Sequence, residues 1–311
     1  MKDSTAPVGI PTAWKERTFR VLDRVARSDR GQRLLGKVAA VSLTSLGAGN
    51  HDDEGERTGE NRLITALGKV VPQVVALDVG ANNGSWTLEM RARCPRSRVI
   101  AVEPGTAAST TLRSRTSTDP AVHVVEAALG PRDDTVTLFG TDSSGLQASL
   151  RPELLQRTTY ADPARQMPSE TVRMMSVGSL IDDVIGQGFL PDADLVNVVK
   201  IDTEGFELDV IGVLLASPWR ESIQAVQFEF HMHALAQGQV IADFAAAFGP
   251  EFVLMRLAPE KLIPLEDLDA ALANYYGFSN WVALRREIAP RVRAAYLAAD
   301  PRMRRRPEWR S

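Results

Sequence analysis

Residues 74–84 read Val-Val-Ala-Leu-Asp-Val-Gly-Ala-Asn-Asn-Gly, from Val74 to Gly84, and this stretch decides the fold. Its apolar, partly β-branched first half predicts a buried parallel strand that leads to Asp78. Gly80 and Gly84 then permit a tight strand-to-helix turn and let a ligand lie against bare backbone. Residues 85–93 continue as a predicted helix whose N-terminal amides face that turn. The stretch therefore predicts a nucleotide-type binding turn.

The spacing of the two glycines limits which nucleotide fits. Gly80-x-x-x-Gly84 is not the Gly-x-Gly-x-x-Gly of dinucleotide-binding folds. The turn also lacks the Gly-Lys-Ser/Thr that holds a triphosphate. It therefore suits an adenosyl ligand without a phosphate chain, and we expect S-adenosyl-L-methionine as the cofactor.

Composition and charge argue against several classes of partner. A hydrophobic content of 44% and a charged content of 24% are typical of a soluble globular protein. The net charge of -3 gives no electrostatic case for nucleic acid as the main partner. The single cysteine, Cys94, excludes an internal disulfide. The most apolar early stretch, residues 34–46, is far shorter than the about 20 residues that a bilayer needs. We therefore expect a cytoplasmic enzyme without stable membrane insertion.

The chain divides into three parts. Helical spacing of apolar residues over positions 14–46 predicts two helices with a break near residues 28–31. We expect an N-terminal helical extension and linker at 1–60, an α/β domain at 61–290, and a basic C-terminal tail at 291–311. The N-terminal helices could form a lid, a dimerisation arm or a packed cap, so a homodimer is left open.

From residue 61 onward, predicted strands alternate with predicted helices, a pattern typical of an α/β sheet. We expect a doubly wound, mostly parallel, Rossmann-like sheet of seven strands. The predicted strands are residues 74–79, 98–102, 122–125, 195–201, 224–230, 252–257 and 279–284. Residues 135–139 and 171–177 are short β-rich pieces that bracket the irregular segment 141–168, which we expect to form part of the substrate wall.

Acidic residues follow three of the predicted strands, where ligands of such sheets bind. They are Asp78, Glu103 and Asp202. Glu103 ends the second strand, where a carboxylate can accept hydrogen bonds from both hydroxyls of a ribose. Asn82 and Asn83 either hold the amino-acid end of the ligand or simply tolerate a left-handed turn.

Five blocks of sequence resemble the FkbM-like methyltransferases. They are Asp78-Val-Gly-Ala-Asn-Asn-Gly84, Val102-Glu-Pro104, Ala127-Ala-Leu-Gly130, Val199-Lys-Ile-Asp-Thr-Glu-Gly-Phe-Glu-Leu-Asp-Val210 and Phe278-Ser-Asn-Trp-Val-Ala-Leu284. The resemblance covers residues 70–285 in the right order. It departs from the family pattern at Ser179-Leu-Ile-Asp182, where the family often has Thr-Leu-Asp. It implies a class I methyltransferase fold, S-adenosyl-L-methionine as donor and, most often, a hydroxyl oxygen as acceptor.

The resemblance also implies which residues contact the donor. Ala127 would lie against the adenine, Glu126 or its backbone would bind the exocyclic amine, and Asp202 would lie nearest the methyl group. The full set of expected donor contacts is Asp78, Gly80, Ala81, Asn82, Asn83, Gly84, Glu103, Pro104, Glu126, Ala127, Ser144 and Asp202.

Transfer of an activated methyl group requires in-line positioning of the acceptor and a base for its proton. We expect His231, which follows the strand at 224–230, to be that base. Asp202 is then an orienter or the alternative base, and Glu204 belongs to the same catalytic group. A second interpretation is an Mg²⁺ or Mn²⁺ site formed by Asp202, Glu204, Glu229 and His231, which would acidify the hydroxyl.

The sequence therefore predicts an S-adenosylmethionine-dependent O-methyltransferase. We expect its acceptor to be a hydroxyl of a small natural product, a sugar or a glycolipid. Two alternatives from other classes remain. A nicotinamide-dependent oxidoreductase would share the sheet and the ribose carboxylate, and a non-catalytic methyltransferase-like binding module would keep the glycine turn without needing a base.

Overall fold

The computed structural model describes residues 12–49, 58–140, 148–154, 167–190 and 196–299. Within these residues the chain forms an α/β fold with one sheet of eight strands and one of three. The strands in chain order are β1 (Val75–Val79), β2 (Arg98–Val102), β3 (Val122–Val125), β4 (Ala128–Leu129), β5 (Asp134–Phe139), β6 (Ser169–Met175), β7 (Val198–Ile201), β8 (Ala225–Phe230), β9 (Phe252–Leu257), β10 (Leu262–Pro264) and β11 (Ser279–Arg285).

The larger sheet has the strand order β10-β9-β11-β8-β7-β1-β2-β3. The pairs from β8 through β7, β1 and β2 to β3 are parallel, whereas β11 lies antiparallel between β8 and β9. The chain order reverses where β1 meets β7, and ligands of doubly wound sheets bind at such a switch point. The predicted doubly wound, mostly parallel fold is confirmed.

This sheet contains all seven predicted strands and one more. The additional strand, β10, pairs antiparallel with β9 at the edge of the sheet. It has three residues and ends in Pro264, so it carries too little alternation to be recognised from sequence. Proline is compatible with this position because an edge strand has one side without ladder hydrogen bonds.

Helices cover both faces of the sheet. They are α1 (Thr12–Ala26), α2 (Asp29–Ser45), α3 (Glu60–Val70), α4 (Ser85–Arg93), α5 (Thr106–Thr116), α6 (Val177–Gly186), α7 (Glu207–Leu215), α8 (Met232–Ala236), α9 (Ile241–Phe248), α10 (Ala270–Ala273) and α11 (Ala289–Leu297). Leu77 of β1 belongs to the core cluster that includes α6, α7 and α9, whereas Ala76 belongs to the cluster that includes α3, α4 and α11. Strand β1 is thus buried on both faces, as a central parallel strand must be.

The N-terminal extension is a pair of helices, as predicted. Ser28 interrupts them and caps α2, because its hydroxyl accepts a hydrogen bond from the backbone N–H of Gly31 at 3.0 Å. The pair exposes several large apolar side chains, namely Phe19, Val21, Leu22, Leu34, Val38 and Val41. In the described part of the chain no helix is both long and apolar enough to cross a bilayer. The cytoplasmic location and the homodimer stay predictions.

Gly80 fixes how closely β1 and β7 approach at their carboxyl ends. Its φ is 76°, and a Cβ atom added there would lie 1.8 Å from the carbonyl oxygen of Asp202. A side chain at position 80 would therefore be strained by the backbone conformation and would also collide with the neighbouring strand end. The added Cβ is bonded directly to the backbone at position 80, and the carbonyl oxygen of Asp202 is itself backbone. Neither atom can rotate away, so one of the two strand ends would have to move.

We expect the substitution Gly80→Ala to lower the free energy of unfolding by more than about 2 kcal/mol, the sum of left-handed strain and overlap. The matched control is Gly212→Ala in α7, where an added Cβ meets no atom within 4 Å. That control should raise stability by up to about 1 kcal/mol, because alanine favours the helix. Urea unfolding followed by circular dichroism measures both. Equal stability of the two variants would contradict the steric argument.

Candidate active site

A cavity of about 700 Å³, including its open mouth, lies at the carboxyl ends of β1, β2 and β7. The cavity lies at the switch point of the sheet, where ligands of doubly wound folds bind. The residues that line it are Val79, Gly80, Asn82, Val102, Glu103, Pro104, Ala127, Ala128, Leu129, Leu138, Ala148, Leu150, Asp202, Thr203, Glu204 and Phe206.

Two backbone N–H groups fix the side chain of Glu103 at the cavity. Its side chain accepts hydrogen bonds from the backbone N–H groups of Asn82 and Gly105, both at 2.8 Å. Burial raises the pKa of Glu103 to about 7, although these two hydrogen bonds oppose the shift. Each carboxylate oxygen has two lone pairs, so both oxygens keep acceptor capacity for hydroxyl groups of a ligand.

Backbone N–H groups of the turn between β1 and α4 already donate hydrogen bonds within the protein. The N–H groups of Gly80 and Ala81 both donate to the carbonyl oxygen of Val102, at 2.9 and 3.1 Å. The N–H group of Asn82 donates to Glu103, and that of Gly84 donates to the carbonyl oxygen of Ala81 at 2.8 Å. The turn thus presents a compact backbone surface to the cavity rather than a nest of open amides.

An apolar wall faces this turn. Ala127 lines the cavity and is fully buried. The small sheet supplies further wall residues from β4 and β5, with the strand order β4-β6-β5. Its β5 and β6 are the two short β-rich pieces noted in the sequence, and they pair antiparallel. Leu138 of β5 and Leu150, which follows the bridge between Phe139 and Ser149, complete a surface suited to a flat apolar ring.

Asp202 lines the cavity at the end of β7 and is paired with Lys200. The Lys200 ammonium lies 2.9 Å from the Asp202 carboxylate. Lys200 is also the register partner of Asp78 across the β1–β7 pair, and both carboxylates raise the pKa of its ammonium above the usual value despite burial. The lysine therefore holds Asp202 at the cavity and offsets the charge of Asp78.

Among the described residues, five predicted donor contacts are not in the cavity lining, namely Asp78, Ala81, Asn83, Gly84 and Glu126. Asp78 is fully buried below the turn, where it accepts a hydrogen bond from the hydroxyl of Thr87 at 2.6 Å. Burial raises the pKa of Asp78, and Lys200 opposes that shift. Ala81 packs with Ala101 and Leu112 in a small cluster. These two residues support the turn from below.

Asn83 and Glu126 point to the surface instead. The Asn83 amide oxygen accepts hydrogen bonds from the Ser85 N–H and hydroxyl groups at the start of α4, and from Arg115. The exposed Glu126 carboxylate lies 3.8 Å from Arg113. The structure therefore corrects their expected side-chain contacts with a ligand, because both side chains are engaged on the outside of the turn.

Gly84 begins α4 and is not among the lining residues, whereas Gly80, Asn82, Glu103 and Pro104 are. Ser144 lies outside the described residues. Of the segment 141–168, the described part supplies Ala148 and Leu150 to the cavity wall. The structure thus gathers the expected strand-end residues around one cavity and separates them from those that only shape the turn.

The loop after β7 carries Glu204 to the cavity edge. Glu204 and Gly205 both have positive φ, 52° and 106°. Glu207 fixes this loop, because its carboxylate accepts hydrogen bonds from the N–H groups of Thr203 and Gly205 at 3.0 and 3.1 Å. The predicted helix start at Glu204 is therefore corrected to Glu207, the first residue of α7.

His231, the expected base, lies behind Glu204 rather than at the cavity. The ring is buried and stacks on Phe278 at a centroid distance of 4.9 Å. Its Nε2 atom lies 3.7 Å from both Glu204 and Glu229. His233 adds its Nδ1 atom 3.2 Å from the Glu204 carboxylate. The residue of this group that reaches the cavity is Glu204, so direct proton transfer to His231 is not what the geometry favours.

Negative charge accumulates around this loop. Burial raises the pKa of Glu204 to about 7, with His233 opposing the shift. Burial and the neighbouring Asp202 and Glu204 raise the pKa of Glu229 well above its usual range. Burial also raises the pKa of Glu207. Such a group of carboxylates at a cavity edge favours cationic ligands.

Sequence reasoning did not assign several residues that the structure places here. Lys200 stands two positions before Asp202, and on a strand this spacing puts both side chains on one face, which is the signal that could have identified it. The cavity-lining Leu138, Leu150, Thr203 and Phe206 carry no such signal, because their positions depend on tertiary packing.

Comparison with known proteins gives the family. Residues 78–261, more than half of the chain, match the family described as "Methyltransferase FkbM domain". The chain belongs to the FkbM methyltransferase family. The resemblance seen in the sequence is thereby confirmed.

Other known proteins resemble the chain more distantly. "Methyltransferase 1" of Beauveria bassiana (strain ARSEF 2860) is 26% identical over 149 residues, which cover 46% of this chain and 59% of that protein. An O-methyltransferase from Bacillus cereus in complex with SAH is 10% identical, with a TM-score of 0.38 and coverage of 82% and 90%. The plantazolicin methyltransferase BpumL in complex with SAH is 8% identical, with a TM-score of 0.36 and coverage of 88% and 99%.

The buried Glu103 carboxylate should make stability depend on pH. Its pKa rises from 4.5 to about 7 on folding, so its protonated form is favoured in the folded state. Its contribution to stability is therefore fully present below about pH 4.5 and is lost as the pH rises through about 7. The difference in free energy of unfolding between wild type and Glu103→Gln should shift by up to about 3 kcal/mol between pH 4 and pH 8.

Urea unfolding at a series of pH values measures this difference. The control Glu287→Gln removes a carboxylate from an exposed position and should run parallel to the wild type. Because any general effect of pH is common to all three proteins, it cancels in the comparison. A Glu103→Gln curve that is also parallel to the wild type would show that burial does not perturb this carboxyl group.

Proposed function

We propose that this protein is an S-adenosylmethionine-dependent O-methyltransferase that acts on a hydroxyl group of a small natural product, sugar or glycolipid. The observation that carries the proposal is the cavity at the switch point of the sheet, with Glu103 at the end of β2 and Asp202 at the end of β7. Membership of the FkbM methyltransferase family supports the reaction class.

Each part of the cavity suits one part of the donor. The Glu103 carboxylate, fixed by two backbone N–H groups, would accept hydrogen bonds from the ribose hydroxyls. The wall formed by Ala127, Leu138 and Leu150 would pack against the adenine ring. The carboxylate of Asp202 would lie near the positive sulfonium and amino groups of the methionine part.

The reaction needs little covalent chemistry from the protein. S-adenosyl-L-methionine supplies a methyl group on a sulfonium, so the new O–CH₃ bond forms as the S–CH₃ bond breaks and a neutral thioether leaves. The protein contributes the in-line position of the acceptor oxygen. Asp202, which lies 2.9 Å from Lys200, would accept the hydroxyl proton. It would then be the base that the sequence analysis gave as the alternative to His231.

The nicotinamide alternative is disfavoured by the amides of the turn. A pyrophosphate binds to open backbone N–H groups at a helix N-terminus. Here the N–H groups of Gly80 and Ala81 donate to Val102, and that of Asn82 donates to Glu103. The acidic residues around the cavity would also repel a pyrophosphate. A binding module without catalysis would have the same cavity, so it is separated by experiment below.

Calorimetric titration tests the donor. The wild type should bind S-adenosyl-L-methionine and should not bind NAD at the same concentration. Glu103→Gln should weaken donor binding about 10- to 100-fold, because a charge-assisted hydrogen bond to a buried group is lost. Glu287→Gln, exposed and far along the chain in β11's following turn, should bind like the wild type. Unchanged affinity of Glu103→Gln would contradict the ribose assignment, and tighter binding of NAD would favour an oxidoreductase.

Methyl incorporation tests catalysis. Wild-type protein with S-adenosyl-L-methionine should add one methyl group to a member of a panel of hydroxylated natural products, sugars and glycolipids, detected by mass spectrometry. On that acceptor Asp202→Asn should lower turnover by about 100-fold or more, the usual effect of losing a general base. Donor affinity should fall much less. Donor binding without transfer to any acceptor would favour the non-catalytic module.

A further inference from the structure

Three side chains behind the cavity edge bring their polar atoms to one point. Among the described residues, Glu204, His231 and His233 each offer one ligand atom, and all three atoms lie within 4.8 Å of one another. The two imidazole rings are 4.5 Å apart, centroid to centroid. Two imidazole nitrogens and one carboxylate are the donor set of many catalytic zinc sites and of non-haem iron sites.

The two distances from Glu204 are close to those between ligands of one metal ion. Glu204 lies 3.2 Å from His233 Nδ1 and 3.7 Å from His231 Nε2. Tetrahedral ligands at about 2.0–2.1 Å from an ion are about 3.3–3.4 Å from one another. The observed separations bracket this value. A small adjustment of side chains would therefore place all three atoms at bonding distance from a common centre.

The backbone around the three side chains is fixed by its own contacts. A Cβ atom added to Gly205 would lie 2.4 Å from Leu154 and 3.2 Å from the Cβ of His233, so only glycine lets the loop lie against α8. The side chain of Gln237 ties the two segments together, because it donates to the carbonyl oxygens of Gly205 and His233 at 2.9 and 3.2 Å. Such outer contacts set the geometry of ligands in metal sites.

We propose that Glu204, His231 and His233 bind one divalent transition-metal ion of the zinc type. Glu229, 3.7 Å from His231 Nε2, is in reach as a further ligand. The two histidines are buried and Glu204 reaches the cavity, so the ion would be held by the interior of the protein and accessible from the cavity. A bound cation would also offset the negative charge of the carboxylates gathered at this loop.

The proposed site differs from the metal set expected from sequence. That set was Asp202, Glu204, Glu229 and His231, with Mg²⁺ or Mn²⁺ as the ion. In the structure the Asp202 carboxylate is paired with Lys200, and His233 takes its place in the cluster. Mg²⁺ prefers oxygen ligands and keeps several waters, so two imidazole nitrogens in a buried site favour Zn²⁺, Co²⁺ or Fe²⁺ instead.

A consequence for methyl transfer rests on the proposed function. The ion would lie beside Asp202, because Glu204 is two residues further along the same loop and both line the cavity. An acceptor hydroxyl that ligates the ion would lose its proton more readily. The acceptor class would then be a hydroxyl able to enter beside Glu204, and its proton would pass to Asp202 as the O–CH₃ bond forms.

Metal binding to the full-length, chelator-treated protein tests the site without any donor or acceptor. Zn²⁺ should bind at one ion per chain in competition with a chromophoric chelator, and Co²⁺ should give a visible absorption band. His233→Gln should weaken Zn²⁺ binding by more than about 100-fold, at least the effect of losing an outer-sphere contact. His123→Gln is the matched control, since His123 lies 3.0 Å from Asp183 on another part of the sheet.

Two further measurements separate the possible failures. The far-ultraviolet circular dichroism spectrum of His233→Gln should match that of the wild type, which shows that the variant is folded. If the wild type binds no Zn²⁺, if His233→Gln binds it as well as His123→Gln does, or if Mg²⁺ competes equally, the metal site is wrong. If Zn²⁺ binds as expected but no methyl donor does, the metal site stands and the proposed function fails.

Discussion

The ammonium group of Lys200 lies between two carboxylates that the sheet brings together. Asp78 and Lys200 are register partners on neighbouring parallel strands, and Asp202 lies 2.9 Å from the same ammonium. Removing one partner from a buried ion pair costs several kcal/mol, because the charge left behind is not compensated. The charged lysine therefore stabilises the close approach of the carboxyl ends of β1 and β7, where the cavity lies.

A cavity built in this way has a marked charge preference. Lys200 interacts with Asp78 and Asp202, whereas Glu103 and Glu204 line the cavity with carboxyl groups whose pKa burial raises to about 7. A cation beside these two groups would favour their negatively charged form. A sulfonium donor and a divalent cation both match this charge, and a pyrophosphate does not. The proposed donor and the proposed metal site thus follow from a single electrostatic property, and they occupy different ends of the cavity. Glu103 faces one end, and Glu204 faces the other.

Much of the fold could be predicted from sequence, because buried parallel strands consist of runs of apolar residues that end in polar residues. The same reasoning indicated Glu103 as a cavity residue, because ligands of such sheets bind beyond the carboxyl ends of the strands. It did not indicate the surface contacts of Asn83 and Glu126, where the local turn and neighbouring charges decide the direction of the side chain. It also did not indicate the contacts of His233. Because His233 lies in helix α8, which begins at Met232, its ring meets His231 and its Nδ1 atom lies near Glu204.

Glu204 and Glu207 lie close together in one short block of sequence but have different roles in the structure. Both belong to the Lys-Ile-Asp-Thr-Glu-Gly-Phe-Glu block, and sequence alone treats them alike. Glu207 accepts backbone N–H groups from Thr203 and Gly205, so its acceptor capacity is used to hold the loop. That loop places Glu204 at a positive φ of 52° and turns its carboxylate toward the histidines and the cavity. A buried carboxylate whose oxygens are directed at imidazole nitrogens rather than at amides is available for a ligand. Glu204 is therefore the residue that would contact a ligand. Glu207 holds the loop that brings Glu204 to this position.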